Sequence, residues 1–189
     1  MKIKSAFSFV WEILKLALLA LIIVLPIRYF IFQPFVVKGA SMEPNFHDGD
    51  YLIVDEISYR LRAPERGEVI IFKYPQDLSQ RFIKRVIGLP NENIEIKENR
   101  IIITTKIGTQ FILEEGPYLP LATTGLFSQN IKITLSENEY FVLGDNRSHS
   151  FDSRGWGSLP KEDIIGRALF RPWPLVDFGL IFEPSYQTN

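Results

Sequence analysis

Residues 81–88 read Arg81-Phe82-Ile83-Lys84-Arg85-Val86-Ile87-Gly88, and their period of two decides how the rest of the chain is read. Successive side chains of a strand point to opposite faces, so Phe82, Lys84 and Val86 share one face and Ile83, Arg85 and Ile87 the other. A lysine thereby stands between two apolar neighbours. Outward from this run lie other short alternating or apolar stretches, at 35–37, 51–55, 68–74, 93–97, 100–105, 110–113, 130–135, 140–143 and 164–170. Each reads as a β-strand, and turn residues divide them: Asp48-Gly49-Asp50, residues 64–67, Pro90-Asn91-Glu92, Glu98-Asn99 and Gly116-Pro117. Residues 56–62 are expected to add only a short helical turn. Many short strands with such breaks predict a mainly β domain of the sandwich or barrel kind.

Ahead of these runs, residues 13–32 read ILKLALLALIIVLPIRYFIF, twenty residues whose only charges are Lys15 and Arg28. As a helix this stretch measures ~30 Å, the hydrocarbon thickness of a bilayer. Long Lys and Arg stems carry their charges to the headgroups, Trp11 and Tyr29 suit interfacial positions, and Pro26 is tolerated near the end of a membrane helix. The expectation is a single N-terminal transmembrane helix. Its rivals are a cleaved signal peptide and a surface helix, because the strictly uncharged run, residues 16–27, is twelve residues long. The bulky residues 26–37 offer no small-x-small cleavage site, which favours an uncleaved anchor. Lys2 and Lys4 before the span are balanced by Arg28 and Lys38 after it, so the charge rule favours an inside N-terminus only weakly. The expected division is a tail and anchor over 1–32, followed by a β-rich domain over 33–189 with a small β insertion at about 91–138.

Composition narrows the chemistry. With 21 Lys+Arg against 22 Asp+Glu the net charge is −1, which argues against a nucleic-acid partner. No cysteine is present, so disulfides, thiolate nucleophiles and Cys-ligated zinc are excluded. The two histidines, His47 and His149, are far apart and form no HExxH pattern, so no catalytic metal or other cofactor is expected.

What remains is Ser, Lys, Asp, Glu and those histidines. Ser41 lies in Lys38-Gly39-Ala40-Ser41-Met42-Glu43-Pro44, a small-residue turn that lets a carbonyl approach the backbone, where the Ser41 amide is placed to help hold an oxyanion. A serine hydroxyl needs a nearby base. Lys84 suits that role if burial lowers its pKa; the plain alternatives are a turn-forming serine and a surface lysine. The loop Gly144-Asp145-Asn146-Arg147-Ser148-His149-Ser150-Phe151-Asp152-Ser153-Arg154 is dense in polar groups. Asp145 is expected to pair with Arg85 and Asp152 with Arg154, while Ser150 orients the lysine amine, against the alternative of a loosely paired charged turn. A Ser41-His149-Asp145 triad stays open as a rival. So does a membrane-anchored β domain that binds without catalysing.

Taken together these segments resemble the type I signal peptidases, membrane-anchored Ser-Lys proteases. The resemblance runs through the apolar N-terminal run, Ser41-Met42-Glu43-Pro44, Gly49-Asp50-Tyr51-Leu52-Ile53-Val54, Arg66-Gly67-Glu68-Val69-Ile70, Lys84 to Pro90, and the loop from Gly144 to Arg154. It implies an all-β catalytic domain facing away from the cytoplasm, anchored by one pass in the plasma (inner) membrane. It implies Ser41 as nucleophile, Lys84 as general base, Ser150 as the orienting hydroxyl, and Asp145, Arg85, Asp152 and Arg154 as supporting ion pairs. Phe35, Val37, Met42, Phe82 and Ile83 match positions lining substrate pockets. The implied substrates are exported preproteins with small residues at the first and third positions before the cut bond, and the implied surroundings are the lipid bilayer, with the protein export channel a further candidate. A pilin or conjugation peptidase of the same superfamily differs only in substrate. Gly39 stands where some members carry a serine, Asn45 replaces a threonine, and Asn91-Glu92 replaces Gly-Asp. The late segment from Arg171 to Phe182 is aromatic and apolar, either a lipid-resting surface or a terminal strand.

Overall fold

The structure is a computed structural model that describes residues 9–22, 32–120, 130–182 and 184. Residues 9–22 form helix α1, exposed throughout. Among the described residues no helix is long and apolar enough to cross a membrane. Residues 23–31, the second half of the apolar run, lie outside the described residues. Phe32, expected to end the span, instead begins strand β1 (Phe32–Val36), because it is held in register opposite Asp55 of β2 (Tyr51–Asp55).

A short helix α2 (Ser58–Leu61) leads into the hairpin of β3 (Val69–Tyr74) and β4 (Asp77–Gly88). Next come β5 (Asn93–Lys97), β6 (Arg100–Thr104), β7 (Gln110–Ile112) and β8 (Ile131–Thr134). The chain returns through β9 (Glu139–Leu143), helix α3 (Ser153–Trp156), β10 (Leu159–Pro160), the long β11 (Ile164–Trp173) and β12 (Gly179–Leu180). Eight strands form one sheet in the order β1-β2-β11-β3-β4-β9-β10, with β12 paired to β11. The other four form a second sheet in the order β7-β6-β5-β8. Strands β2 and β5 cover the residues expected of them; β10 and β12, two residues each, are too short for any periodicity to show. β11 runs three residues past its expected end at Phe170, and the register shift between Phe170 and Trp173 accommodates Pro172, which has no N–H to give a ladder.

β4 is the strand on which the interior depends. Ile83 packs with Val37, Met42, Phe46, Leu52 and Val54 in one cluster, and Ile87 with Ile94, Ile96, Ile101 and Phe141 in a second. From the opposite face, Phe82 and Val86 join Ile70, Phe72, Tyr140 and Val142 in a third. The alternation read from residues 81–88 is therefore real, and it carries Lys84 inward with Phe82 and Val86. In the second sheet, Glu98 (φ 50°) and Asn99 (φ 59°) both occupy the left-handed region, as a two-residue turn between β5 and β6 requires.

Where β11 passes β2, space is lacking for any side chain at Gly166: a Cβ there falls 2.5 Å from the Asp55 carbonyl oxygen. Because the obstacle is backbone, it moves only with the strand. Gly166→Ala is expected to cost about 2–3 kcal/mol, read as a lowered urea midpoint; an unchanged midpoint rejects this account of the crossing.

Candidate active site

Ser41 sits on a turn pinned at both ends. Val37 donates its N–H to the Asp50 carbonyl (2.9 Å) and Gly49 donates to the Val37 carbonyl (3.0 Å), closing residues 37–50 into a loop. Met42 and Phe46 anchor it in the core, and Gly39 supplies the positive φ of 78° that the bend needs. From the polar loop, Asn146 donates its backbone N–H to the Ser41 carbonyl (3.1 Å) and its side-chain amide to the Ala40 carbonyl (3.0 Å). Asn45 reaches the other way, donating to Asp145 Oδ2 (2.7 Å) and to the Tyr118 carbonyl (2.8 Å).

Lys84 is 4% exposed, and its Nζ lies 2.8 Å from Ser41 Oγ and 2.8 Å from the Ile83 carbonyl, to which it donates. The amine also stands over the Phe82 ring at 5.5 Å. Burial pushes its pKa down to about 8, against the opposing attraction of Asp152 and Asp145. A surface lysine is thereby ruled out, and the serine and lysine named from sequence are in contact.

The neighbouring Arg85 is equally buried and binds Asp145 through two parallel hydrogen bonds, Nε to Oδ1 at 2.8 Å and Nη2 to Oδ2 at 2.6 Å. Its third donor meets the Gly67 carbonyl (2.8 Å), and its plane lies 4.3 Å over the Tyr118 ring. Asp152 accepts from Arg154 Nε and Nη2 at 2.8 Å each and from Gly144 N–H at 3.0 Å, and it caps α3. Both expected ion pairs are present. Ser150 is different: its Oγ is buried with no hydrogen-bond partner, and the contacts of the lysine amine are Ser41 and Ile83. Gly144 sets the close packing here, since a Cβ on it falls 2.2 Å from Ser150 Oγ and 2.4 Å from the Ser41 carbonyl oxygen.

The rival triad is not assembled. His149 is exposed and its ring hydrogen-bonds Ser148 (2.8 Å), while Asp145 is occupied by Arg85 and Asn45. Among the described residues no group of three or more His, Asp or Glu is placed to hold a metal ion. Residues 91–138, the expected β insertion, supply Glu115 and Tyr118 to the surroundings of the site. Glu115 pairs with the buried Arg147, whose Nε donates to the Gly144 carbonyl (2.9 Å). Nothing in the local sequence around Glu115 signals this, because its partner is 32 residues away and the pairing exists only once both sheets are formed.

Beside the Ser41–Lys84 contact opens a cleft of about 700 Å³, lined by Phe35, Phe82 and Ile83 among others. Val37 and Met42, expected to line pockets as well, are 1% and 0% exposed and belong to the core beneath. The chain matches the family described as signal peptidase, peptidase S26, over residues 10–173. It belongs to the signal peptidase family. Among curated relatives of this signal peptidase family member, probable signal peptidase I-1 of Synechocystis sp. is 35% identical over 186 residues, covering 94% of this chain and 89% of its own length. Probable signal peptidase I-2 of the same organism is 34% identical, covering 92% and 78%. Signal peptidase IB of Staphylococcus aureus (strain MRSA252) is 32% identical, covering 90% and 93%. A crystal structure of a signal peptidase I from Enterococcus faecalis V583 is 29% identical, covers 56% of this chain and 97% of its own, and superposes with a TM-score of 0.45.

A base whose folded pKa lies below its unfolded value destabilises the fold while it is charged. Here the penalty is fully present below pH about 8 and is relieved as pH rises toward the free-lysine value of 10.5, because there the unfolded chain holds a proton that the folded chain has lost. The size is on the order of 3 kcal/mol. Lys84→Met is therefore expected to melt above wild type at pH 7, with the gap narrowing toward pH 10; a lower melting temperature throughout counts against the account. Asp145→Ala strands the buried Arg85 and is expected to cost about 3–5 kcal/mol, measured by denaturant unfolding.

Proposed function

We propose that this chain is a serine endopeptidase that uses a Ser-Lys dyad to remove signal peptides from exported preproteins at a membrane surface. The observation that carries the reading is the 2.8 Å contact between a buried, pKa-depressed Lys84 amine and Ser41 Oγ at the side of an open cleft. In its neutral form the amine takes the Ser41 hydroxyl proton as Oγ attacks a peptide carbonyl carbon. The C–N bond then breaks, the proton passes from Lys84 to the leaving amine, and an ester remains on Ser41. Water next gives a proton to Lys84, adds to the ester carbon, and Ser41 Oγ leaves with that proton. The Ser41 amide is the backbone donor assigned to the developing oxyanion; Gly39 has no hydroxyl to add to it.

The two hydrogen bonds from Asn146, together with the Asn45–Asp145–Arg85 chain, support this reading because they hold the turn and β4 in one geometry. Ser150 orients the amine only after its side chain turns from the rotamer seen here. Phe35 and Phe82 form the walls that accept small residues at the first and third positions before the bond; Ile83 also borders the cleft but is 3% exposed and packs with Val37 and Met42 in the core that backs them. Residues 32–189, one residue more than expected because Phe32 belongs to β1, are assigned as the catalytic domain, with 91–138 its β insertion, and the apolar run ahead of β1 as a single-pass anchor in the plasma membrane, the catalytic domain lying on the non-cytoplasmic side. Exposed Trp173, Leu175, Val176, Phe178 and Phe182, at 54–87% exposure, are assigned to the lipid surface. The protein export channel is the partner that would deliver substrate.

Cleavage of a model preprotein, with the cut site read by mass spectrometry, tests the chemistry. Ser41→Ala and Lys84→Ala are expected to lose at least about 10³-fold in kcat/KM, whereas His149→Ala stays within about twofold. The acid limb of kcat/KM is expected near pH 8, where Lys84 loses its proton. A Lys84→Ala enzyme that still cuts sinks the dyad. For the surface, Trp173→Ser with Phe178→Ser is expected to weaken liposome binding of residues 32–189; equal binding rejects it.

A further inference from the structure

We infer that Arg81, bridged to Gln33, closes one end of the cleft and makes it select against positive charge at the fourth or fifth residue before the cut bond. This specificity rests on the peptidase reading above. The cleft lies between two strand edges, Pro34–Val36 of β1 and Ser79–Lys84 of β4. β1 is the end strand of the large sheet, and β4 pairs with β9 only over Arg85–Gly88, so both edges offer backbone groups to an extended peptide laid between them. Ser41 and Lys84 mark one end of that slot. Three residues back along β4, ~10 Å at strand rise, the Arg81 guanidinium donates to Gln33 Oε1 of β1 at 3.2 Å and spans the gap. Phe35, Phe82 and Ile83 lie between the two ends, so if they receive the residues before the bond, Arg81 stands on that same side, three extended residues upstream.

On its cleft side this closure carries positive charge alone. Lys38, Arg81 and Lys84 line the cleft and no carboxylate does. Gln33 is a neutral partner, and among the described residues Arg81 has no carboxylate within ion-pair distance. Lys73 stands directly opposite it across the β3–β4 pair. Glu56, Glu162 and Asp163 border a second depression that Arg81 also touches, together with Lys73 and Arg60. A Lys or Arg of the substrate beside Arg81 meets like charge against the apolar wall of Phe82, while an Asp or Glu takes the place of Gln33 as hydrogen-bond acceptor.

The test uses the full chain in detergent at low ionic strength and peptides with Ala at the first and third positions before the bond and Asn elsewhere upstream. Asp or Lys is then placed singly at the second and at the fourth to sixth positions, and the Asp:Lys ratio of kcat/KM is taken within each enzyme, so that any general loss in a variant cancels. Wild type is expected to show its largest ratio, about 3–10-fold, at the fourth or fifth position, falling toward one in about 0.5 M salt. Arg81→Lys keeps the sign of the preference, Arg81→Gln brings the ratio to about one, and Arg81→Glu inverts it. A ratio near one in wild type, a maximum elsewhere, or the same ratio in wild type and Arg81→Gln overturns the inference. A parent peptide that is cut without charge preference removes this inference alone; a parent left uncut by wild type removes the peptidase reading with it.

Discussion

Everything at this site depends on keeping one amine out of water. Lys84 has its stem in the face of β4 that carries Phe82 and Val86, and its nitrogen ends against Ser41 and one carbonyl. An ammonium in that position lacks the hydration it has in solvent, and the two carboxylates in range, Asp145 and Asp152, offset only part of the loss. The fold is thus less stable than it would be with an apolar residue at 84, and the same imbalance is what readies the amine to accept a proton.

Holding that imbalance in place requires rigid neighbours, and the structure provides them as paired charges rather than as hydrocarbon. Arg85–Asp145 and Arg147–Glu115 are both buried, and each arginine also donates to a backbone carbonyl next to the site, Gly67 or Gly144. Buried pairs of this kind add little net stability, because desolvation consumes most of the attraction. Their contribution is geometric: Arg85 grips Asp145 with two parallel prongs, and Arg147 divides its donors among Glu115, Tyr118 and the Gly144 carbonyl, so few alternative arrangements remain. Asn45 extends the same constraint to the serine turn by bonding Asp145, and Gly144 permits the approach by having no side chain. The second sheet takes part as well, since Glu115 and Tyr118 follow β7 and close over Arg147 and Arg85.

Much of this was legible beforehand. Strand alternation at 81–88 placed Lys84 on an apolar face, and opposite charges crowded into 144–154 pointed to Asp145 and Asp152 as anchors. The two-residue β10 and β12 were not legible, because a repeat of two needs more than two residues to be seen. Ser150 was expected on the amine and instead has a buried, unpartnered hydroxyl, a matter of one rotamer that no pattern encodes. Val37 and Met42 were expected at a pocket surface but fill the core below it, since an apolar residue near a cleft looks the same in sequence whether it faces substrate or interior.

By itself, then, the sequence determined which residues alternate, which turns need glycine or asparagine, and which side chains have the chemistry to react, because these are properties of short segments and of composition. Only the tertiary structure decided that Ser41 and Lys84, 43 residues apart, touch; that Glu115 supports Arg147; and that Gln33 meets Arg81 across the cleft. Such contacts depend on how far each strand slides against its neighbour and how the sheet curls, and those are set by the packing of the three cores as a whole rather than by any local run of residues.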